Sequence, residues 1–206
     1  MMEGVNMVFE PSVAARTAIA RRGASRPLRL LLERGLIKPS EKILDYGCGK
    51  GSDVETLRSL GFDAEGWDPY QPGWDDPSVL KDEYYDVVLN FYVLNVLPIE
   101  HRYDVLVGIW RVLKRDGRVY IAVRDVSESK IPKGTPYEDG IITSRGTFQT
   151  WFTPEKLEET IRHVQLFKEV RILNRRQPLI AEAIKGYEHS GNITTIMKLV
   201  GYEQTF

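Results

Sequence analysis

The sequence has few of the residues that build covalent or metal-based scaffolds. Only one of its 206 residues is cysteine, Cys48, and only three are histidine. One cysteine cannot form an internal disulfide, and no spacing of Cys and His matches a structural zinc site. We therefore expect neither a disulfide framework nor a bound metal.

Long apolar runs are also missing. No stretch approaches the roughly 20 apolar residues that a membrane-spanning helix needs. The first residues, MMEGVNMVFEP, lack the basic-then-apolar order of a secretory signal. The sequence predicts a cytoplasmic protein without a membrane partner.

An excess of charge of one sign is absent from the whole chain but present locally. The formal net charge is -1 at pH 7, which gives no global reason for a polyanionic partner. However, six arginines lie between residues 16 and 34, against one acidic residue, Glu33. Such a cluster can contact phosphates or nucleic acid, or it can be a solvated helical face. Both interpretations remain open.

Strand-like and helix-like segments alternate along the chain. Strands are predicted at residues 42–46, 63–67, 86–89, 118–123, 170–173 and 193–200. Helices are predicted at residues 26–34, around Val54 to Leu60, and at 99–114, 154–164 and 179–187. This order predicts an α/β fold with a doubly wound, mostly parallel sheet and an antiparallel edge. The segment 125–150, rich in Gly, Pro, Ser and Lys, is predicted to be a long loop, and such loops are often lids.

The sharpest pattern is DYGCGKG, which runs from Asp45 to Gly51 between a predicted strand and a predicted helix. Glycines let the backbone pass close to a ligand and adopt positive φ. Asp68 ends the next predicted strand, where a carboxylate can accept hydrogen bonds from both hydroxyls of a ribose. Together these features predict a nucleoside cofactor across the carboxyl edge of the sheet.

The spacing of the glycines distinguishes between cofactors. Dinucleotide sites use G-x-G-x-x-G, whereas this loop reads G-x-G-x-G after an aspartate that would oppose a pyrophosphate and attract an ammonium group. Here the chain resembles the class I S-adenosylmethionine-dependent methyltransferases, whose first motif is commonly (D/E)-x-G-x-G-x-G. LKRDGRVYIAV, residues 113–123, is similar to their fifth-strand segment. The resemblance covers roughly residues 40–125 and implies a Rossmann-like, seven-stranded type of sheet.

The resemblance also implies roles for individual residues. Glycines of the loop would approach the methionyl part and ribose, Asp45 would orient the loop or the methionyl amine, and Asp68 would hold the ribose. The predicted cofactor-binding residues are Asp45, Tyr46, Gly47, Cys48, Gly49, Gly51, Asp68 and Asn90. For Gly51 the alternative is helix packing, and for Cys48 it is a small buried residue with no nucleophilic role.

One departure from the family concerns its third strand. Only about 17 residues separate Asp68 from Asp86, too few for a helix, a strand and their connections, so this region is predicted to be shortened. The residues that enclose the adenine stay open, with Trp67, Tyr70 and Trp74 as candidates by stacking or as packing residues. The expected domain is a single methyltransferase domain over residues 1–206. Its predicted parts are an N-terminal helical segment (1–38), a cofactor-binding core (40–124), a candidate lid (125–150) and a C-terminal part completing the sheet (151–206).

The methyl acceptor is less well marked. Methyl transfer is an in-line displacement that needs alignment and removal of a proton, so no catalytic triad is required. Methylation at C5 of cytosine needs a cysteine nucleophile, conventionally in a Pro-Cys pair after the fourth strand. The only cysteine of this chain is Cys48 in the glycine loop, so that chemistry is excluded. Residues 90–93 read NFYV, without the prolines of the (D/N)-P-P-(Y/F/W) motif of amino-methylating DNA enzymes. Tyr92 and Asn95 are the best candidates to touch the acceptor, with helix packing as the alternative.

A narrower resemblance rests on FYVLNVLP, on TAIARRGASRPLRLLLERGLI and on RGTFQTWFT. These segments are similar to methyltransferases associated with DNA phosphorothioation islands, over about residues 16–160. The resemblance implies a substrate role for arginines, with Arg21, Arg22, Arg26 and Arg145 as candidates and a packed loop as the alternative for Arg145. The predicted function is an S-adenosylmethionine-dependent methyltransferase of unknown acceptor, nucleic acid or nucleotide being slightly favoured over a small molecule. Its alternatives are a noncatalytic S-adenosylmethionine-binding or assembly module and, less favoured, an NAD-dependent oxidoreductase.

Overall fold

The computed structural model describes residues 9–18, 20–127 and 132–186 of the chain. Its strands are β1 (Lys42–Tyr46), β2 (Asp63–Trp67), β3 (Tyr85–Phe91), β4 (Leu113–Val123), β5 (Gly134–Tyr137), β6 (Gly140–Thr143), β7 (Phe148–Gln149), β8 (Phe167–Arg175) and β9 (Leu179–Lys185). Its α-helices are α1 (Arg26–Glu33), α2 (Ser52–Ser59), α3 (Ile99–Val112) and α4 (Pro154–His163), and short 3₁₀ helices occupy Pro11–Thr17, Pro77–Val79 and Leu94–Val96.

The central sheet has the strand order β2-β1-β3-β4-β9-β8. The first four strands pair in parallel, whereas β9 runs antiparallel to both of its neighbours. The prediction of a mixed α/β fold with a mostly parallel sheet is confirmed. The sheet has six strands in the described part of the chain, and the strand predicted at 193–200 lies outside the described residues. Between β2 and β3 the only regular element is the 3₁₀ helix Pro77–Val79. This is the region in which the third strand of the family is predicted to be shortened.

Both faces of the sheet are covered by helices. Ile43 of β1 belongs to a buried cluster with the apolar side chains of α1 and α2, and its neighbour Leu44 belongs to the cluster of α3 and α4. The same alternation continues along β4, where Tyr120 faces α1 and α2 and Ile121 faces the other layer. Successive side chains point to opposite faces of a strand, so a strand buried on both faces reads as a continuous apolar run.

The helix starts follow local sequence signals. The Ser25 hydroxyl caps α1 by accepting from the Leu28 N–H, at 3.3 Å, and Thr153 caps α4 by accepting from the Lys156 N–H, at 3.2 Å. The helix predicted at 154–164 therefore begins directly after its cap, Thr153. The Ser25 N–H in turn donates to the buried Asp53 carboxylate of α2, at 2.6 Å, which fixes the arginine-rich segment against the start of α2.

Two predictions about secondary structure were wrong. Residues 179–185 form strand β9 rather than the first part of a helix over 179–187, because they fill the gap between β4 and β8 in the sheet. The segment 125–150 is not simply a long loop. Its described part folds into a second, antiparallel sheet of strands β5, β6 and β7.

The small sheet is anchored to α3. The Arg102 guanidinium, only 1% exposed, donates to both carboxylate oxygens of Asp139 at 2.7 Å. Phe148 and Ile142 of this sheet are buried in one cluster with Phe9. Across residues 9–18, 20–127 and 132–186, no helix is long and apolar enough to cross a membrane, and no group of three or more His, Cys, Asp or Glu side chains could hold a metal ion.

Candidate cofactor-binding site

A cavity of about 500 Å³ opens at the carboxyl ends of β1, β2 and β3. This is the edge at which open α/β sheets bind ligands, and the volume lies in the range of small-molecule sites. Its walls come from the loop after β1, the turn after β2, the segment after β3 and the inner side of α3. Of the predicted cofactor-binding residues, Tyr46, Gly47, Cys48, Gly49 and Asp68 line it.

The glycine loop is held in place by close contacts that exclude a side chain. The Gly47 N–H donates to the carbonyl of Trp67, at 2.7 Å, which ties the loop to the end of β2. Gly47 has φ 84°, and a Cβ there would stand 2.5 Å from a methyl carbon of Val93. Gly49 has φ 54° and faces Ala18. Glycine is thus required at both positions, for its positive φ and for the approach of neighbouring segments.

Asp68 bridges this loop and the turn that follows β2. One carboxylate oxygen accepts from the Gly49 N–H and the other from the Tyr70 N–H, each at 3.0 Å. Burial raises the pKa of Asp68, although the two hydrogen bonds oppose that rise. Each carboxylate oxygen keeps a further lone pair, so Asp68 can still accept hydrogen bonds from the hydroxyls of a ribose in the cavity.

Two predicted residues, Asp45 and Asn90, are buried but do not line the cavity. Asp45 is buried, and no hydrogen bond to its carboxylate occurs within the described residues. Burial, and then the charges of Asp53 and Asp68, raise the pKa of Asp45, while Arg21 opposes them. Asn90 donates to the Tyr46 carbonyl at 2.8 Å, but its own side-chain oxygen has no partner among the described residues. A buried acceptor without a partner is costly, so both groups are suited to interact with a positively charged or hydrogen-donating ligand.

Other predicted residues have packing environments. Gly51 caps the start of α2 and does not line the cavity; a Cβ on it would stand 2.0 Å from the Trp74 ring. Trp74 thus packs behind the loop, whereas Trp67 and Tyr70 line the cavity beside the predicted ribose site. Burial raises the pKa of the Cys48 thiol, and so do the charges of Asp45 and Asp68. The thiol is therefore protonated near neutral pH.

A second cavity, of about 370 Å³, adjoins the first. The two share Thr17, Arg21, Tyr92 and Val96 as lining residues. Among the sequence-predicted substrate residues, Arg21 and Arg26 line this second cavity, together with both candidate catalytic residues, Tyr92 and Asn95. Arg22 and Arg145 line neither cavity.

Sequence reasoning missed several residues of these walls, and four of them carry titratable side chains that matter below. Arg29 and Arg124 line the second cavity, and His101 and Asp104 of α3 line the first. The His101 Nδ1 atom lies 3.8 Å from an Asp104 carboxylate oxygen. Arg29 belongs to the arginine cluster between residues 16 and 34, whose helical spacing places it one turn after Arg26. No local pattern marked the other three.

The family model of the methyltransferase domain matches residues 16–172, well over half of the chain. The chain belongs to the methyltransferase domain family. No curated protein matches the sequence. As a methyltransferase, it has the Rossmann-like fold expected from the glycine loop, and the family match supports S-adenosylmethionine as its cofactor.

Solved structures share this fold. The 1,6-didemethyltoxoflavin-N1-methyltransferase of Burkholderia thailandensis, which has bound 1,6-didemethyltoxoflavin and S-adenosylhomocysteine, is 21% identical, with 79% of this chain and 78% of that chain covered and a TM-score of 0.57. A methyltransferase dependent on S-adenosylmethionine from Archaeoglobus fulgidus is 16% identical, with 77% and 92% covered and a TM-score of 0.55. A structure concerned with conversion of a disulfide bond into a thioacetal group during echinomycin biosynthesis is 15% identical, with 89% and 90% covered and a TM-score of 0.58. At these identities the likeness concerns the fold alone.

Proposed function

We propose that this methyltransferase binds S-adenosylmethionine in the first cavity and receives its acceptor in the second. The observation that carries the proposal is the shared wall at Arg21 and Tyr92. A methyl donor in one cavity and a nucleophile in the other would meet at this wall. Proximity and alignment are what an in-line transfer requires of the protein.

The residues fit the cofactor as follows. Asp68 would hold the ribose hydroxyls, and the backbone of Gly47 and Gly49 would lie against the ligand. Asp45, buried and without a hydrogen bond in the described chain, would balance the methionyl ammonium. The assignments of Tyr46, Cys48, Gly51 and Asn90 to cofactor binding remain part of this proposal.

The bound cofactor supplies an electrophilic methyl group on a sulfonium. An acceptor held beside it would take that methyl group as the carbon–sulfur bond breaks, leaving S-adenosylhomocysteine, and the acceptor's proton would pass to solvent. Tyr92 and Asn95 would orient the acceptor. The protein needs only to align the two partners and keep water out.

For the acceptor we favour a nucleotide or nucleic acid, which is supported by the arginines around the second cavity. The narrower resemblance to methyltransferases of DNA phosphorothioation islands stays a prediction, as do the cytoplasmic location and the single-domain organisation. The alternative is a noncatalytic module, which would bind the cofactor without turning it over. Assays of S-adenosylhomocysteine release with a panel of acceptors distinguish this module from an enzyme.

The binding experiment is calorimetry with S-adenosylhomocysteine. We expect Asp68→Ala to weaken binding by at least about tenfold, because one or two charge-assisted hydrogen bonds of about 1.5 to 3 kcal/mol each are lost. Asp63→Ala is the matched control, since Asp63 begins the same strand at its opposite end and is 57% exposed. Binding of NAD in place of S-adenosylhomocysteine, or equal effects of the two variants, would contradict the proposal.

A further inference from the structure

The charged side chains that line the second cavity are all arginines. Its charged lining residues are Arg21, Arg26, Arg29 and Arg124, and none of its lining residues is Asp or Glu. Within the described part of the chain, Arg21, Arg26 and Arg29 form no ion pair with a carboxylate. Guanidinium groups bind carboxylate and phosphate through paired N–H donors, so the charge of this cavity selects an oxyanion.

Local structure holds two of these arginines on one side of α1. Arg26 and Arg29 are three residues apart in the helix, a spacing that places side chains on the same face. Arg29 Nη1 donates to the Ala24 carbonyl at 2.8 Å, which orients that guanidinium beside the start of the helix. The helix N-terminus adds a partial positive charge there.

A buried amide provides an independent sign of a ligand. Asn95 lines the cavity, is 1% exposed, and its side-chain oxygen has no hydrogen-bond partner within the described residues. Its backbone is fixed, since the Asn95 carbonyl accepts from the Thr150 N–H at 2.9 Å. An unpaired buried acceptor is expensive to keep, and a ligand carrying an N–H or O–H group would satisfy it.

The second cavity also adjoins the proposed cofactor site, as an acceptor cavity must. Tyr92 lines both cavities and has φ 64°, a conformation that a tyrosine seldom adopts. The Arg21 guanidinium lies 5.8 Å from the centre of the Tyr92 ring. Tyr92 and Arg21 therefore form a wall between an electropositive chamber and the proposed methyl donor.

We infer that the second cavity binds a compact acceptor that carries a phosphate or carboxylate group and donates an N–H or O–H to Asn95. This inference rests on the proposed function, because it names the class of acceptor for the same site. The volume of about 370 Å³ suits a small molecule, such as a nucleotide or an organic acid. Arg26, Arg29 and Arg124 hold the anion, and Arg22 does not take part.

The test uses inorganic phosphate and acetate as separate probes, titrated calorimetrically at constant ionic strength with chloride as the reference anion. Each titration is run on the free protein and on protein saturated with S-adenosylhomocysteine. We expect saturable binding of at least one probe in both forms. Phosphate alone would identify a phosphate-bearing acceptor, and acetate alone a carboxylate-bearing one.

Two single-residue variants of the arginine-rich segment show whether the probe binds in the second cavity. Arg26→Ala should weaken binding of the probe about tenfold, or about 1.4 kcal/mol. Arg22 is also exposed but lies outside both cavities, so Arg22→Ala should leave the affinity for the probe within about twofold of that of the unmodified protein. Absence of saturable binding for both probes, or equal losses in the two variants, would overturn the inference. Failure of S-adenosylhomocysteine to bind would instead overturn the proposed function, and the probes on the free protein would still report on the cavity.

Discussion

The carboxylate of Asp45 is buried, and no hydrogen bond to it occurs within the described residues. Its pKa is raised by burial and by Asp53 and Asp68, so folding favours the protonated form. The contribution of this carboxyl to stability is full below its unfolded pKa, about 3.9, and is lost as the pH rises through its folded pKa. We expect Asp45→Asn to raise the melting temperature near pH 8 by roughly 3 °C, and this gain should vanish near pH 4.

Thermal unfolding across this pH range measures the effect, and calorimetry with S-adenosylhomocysteine measures its functional counterpart. Asp45→Asn should bind the cofactor product more weakly, because the methionyl ammonium loses its opposing charge. Asp63→Asn, at an exposed position, should show no gain that grows with pH. A variant less stable than the unmodified protein near pH 8 would show that Asp45 is not destabilising.

The residues of the cofactor loop could be predicted from sequence because their chemistry is local. Gly47, Gly49 and Asp68 follow consecutive strands of a parallel sheet, so the topology alone brings them to one edge. Arg124, His101 and Asp104 could not be predicted in this way. They reach the cavities from β4's end and from α3, and which side of α3 faces the cavity depends on packing between distant segments. Arg22 illustrates the converse, since an arginine cluster does not say which members point into a cavity.

At the scale of elements, the turn after β2 packs onto the start of α2 through Trp74. Gly51 begins this helix with φ 74°, and a Cβ there would stand 2.0 Å from the Trp74 ring. Gly61 follows the same helix with φ 83° and open space around it. We expect Gly61→Ala to cost about 1 to 2 kcal/mol from backbone strain and Gly51→Ala to cost about 2 kcal/mol more from the clash.

Urea unfolding of a double-mutant cycle measures the packing contribution. In a Trp74→Ala background, Gly51→Ala should cost no more than Gly61→Ala, because the ring that causes the clash is gone. A Gly51→Ala penalty that stays unchanged in that background would show that Trp74 is not responsible. Calorimetry on the same variants separates packing from the proposed contact of Gly51 with the cofactor.

The small sheet is joined to α3 by an ion pair between a buried guanidinium and a half-buried carboxylate. Arg102 is 1% exposed, and its partner Asp139 also lies 2.7 Å from the Lys156 ammonium group. Although burial raises the pKa of Asp139, hydrogen bonds from Arg102 and Lys156 lower it below its ordinary value. We expect Asp139→Ala to cost about 3 to 5 kcal/mol, since Arg102 is left buried without its counter-charge.

Hydrogen exchange locates that loss. Asp139→Ala should reduce protection in β5, β6 and β7 more than in β1 and β3, whereas Arg102→Met combined with Asp139→Ala should recover part of the stability. Uniform loss of protection across both sheets would indicate that the small sheet does not open independently. The prediction that residues 125–150 act as a lid is tested by the same exchange measurement with and without S-adenosylhomocysteine.

The elements that could be predicted are those in which propensity and environment agree. Strands β1 and β2 have the predicted bounds, and the cap at Thr153 marks the start of α4. The segment LIAEAIK of strand β9 contains good helix formers, and it lies in the stretch predicted as a helix. Its place beside β4 decides its conformation instead: Lys185 Nζ donates to the Leu113 carbonyl at 2.7 Å, and Glu182 pairs with Arg171 of β8. Such tertiary contacts override propensity and have no local signature.

At the scale of the whole molecule, the charge distribution limits how a polyanion can bind. The net charge is -1, so long-range attraction is weak, and the arginines that converge are the four around the second cavity. Binding to a single strand releases counterions with a slope of about -0.7 per neutralised phosphate. If a nucleic acid is the acceptor, these four arginines contact its phosphates, and few further phosphates are neutralised by the protein.

We therefore expect the affinity for a single-stranded oligonucleotide to fall with salt at a logarithmic slope no steeper than about -2.8, the value for about four phosphates. Arg26→Ala should make that slope shallower by about 0.7, while Arg22→Ala leaves it unchanged. Fluorescence anisotropy over a series of salt concentrations measures both. A slope steeper than about -5, or equal changes in the two variants, would require an extended basic surface beyond the second cavity. Absence of any salt-dependent binding would remove nucleic acid from the acceptors and leave a free nucleotide or another compact anion, because one such ligand needs only the converging arginines and not a charged path along the surface.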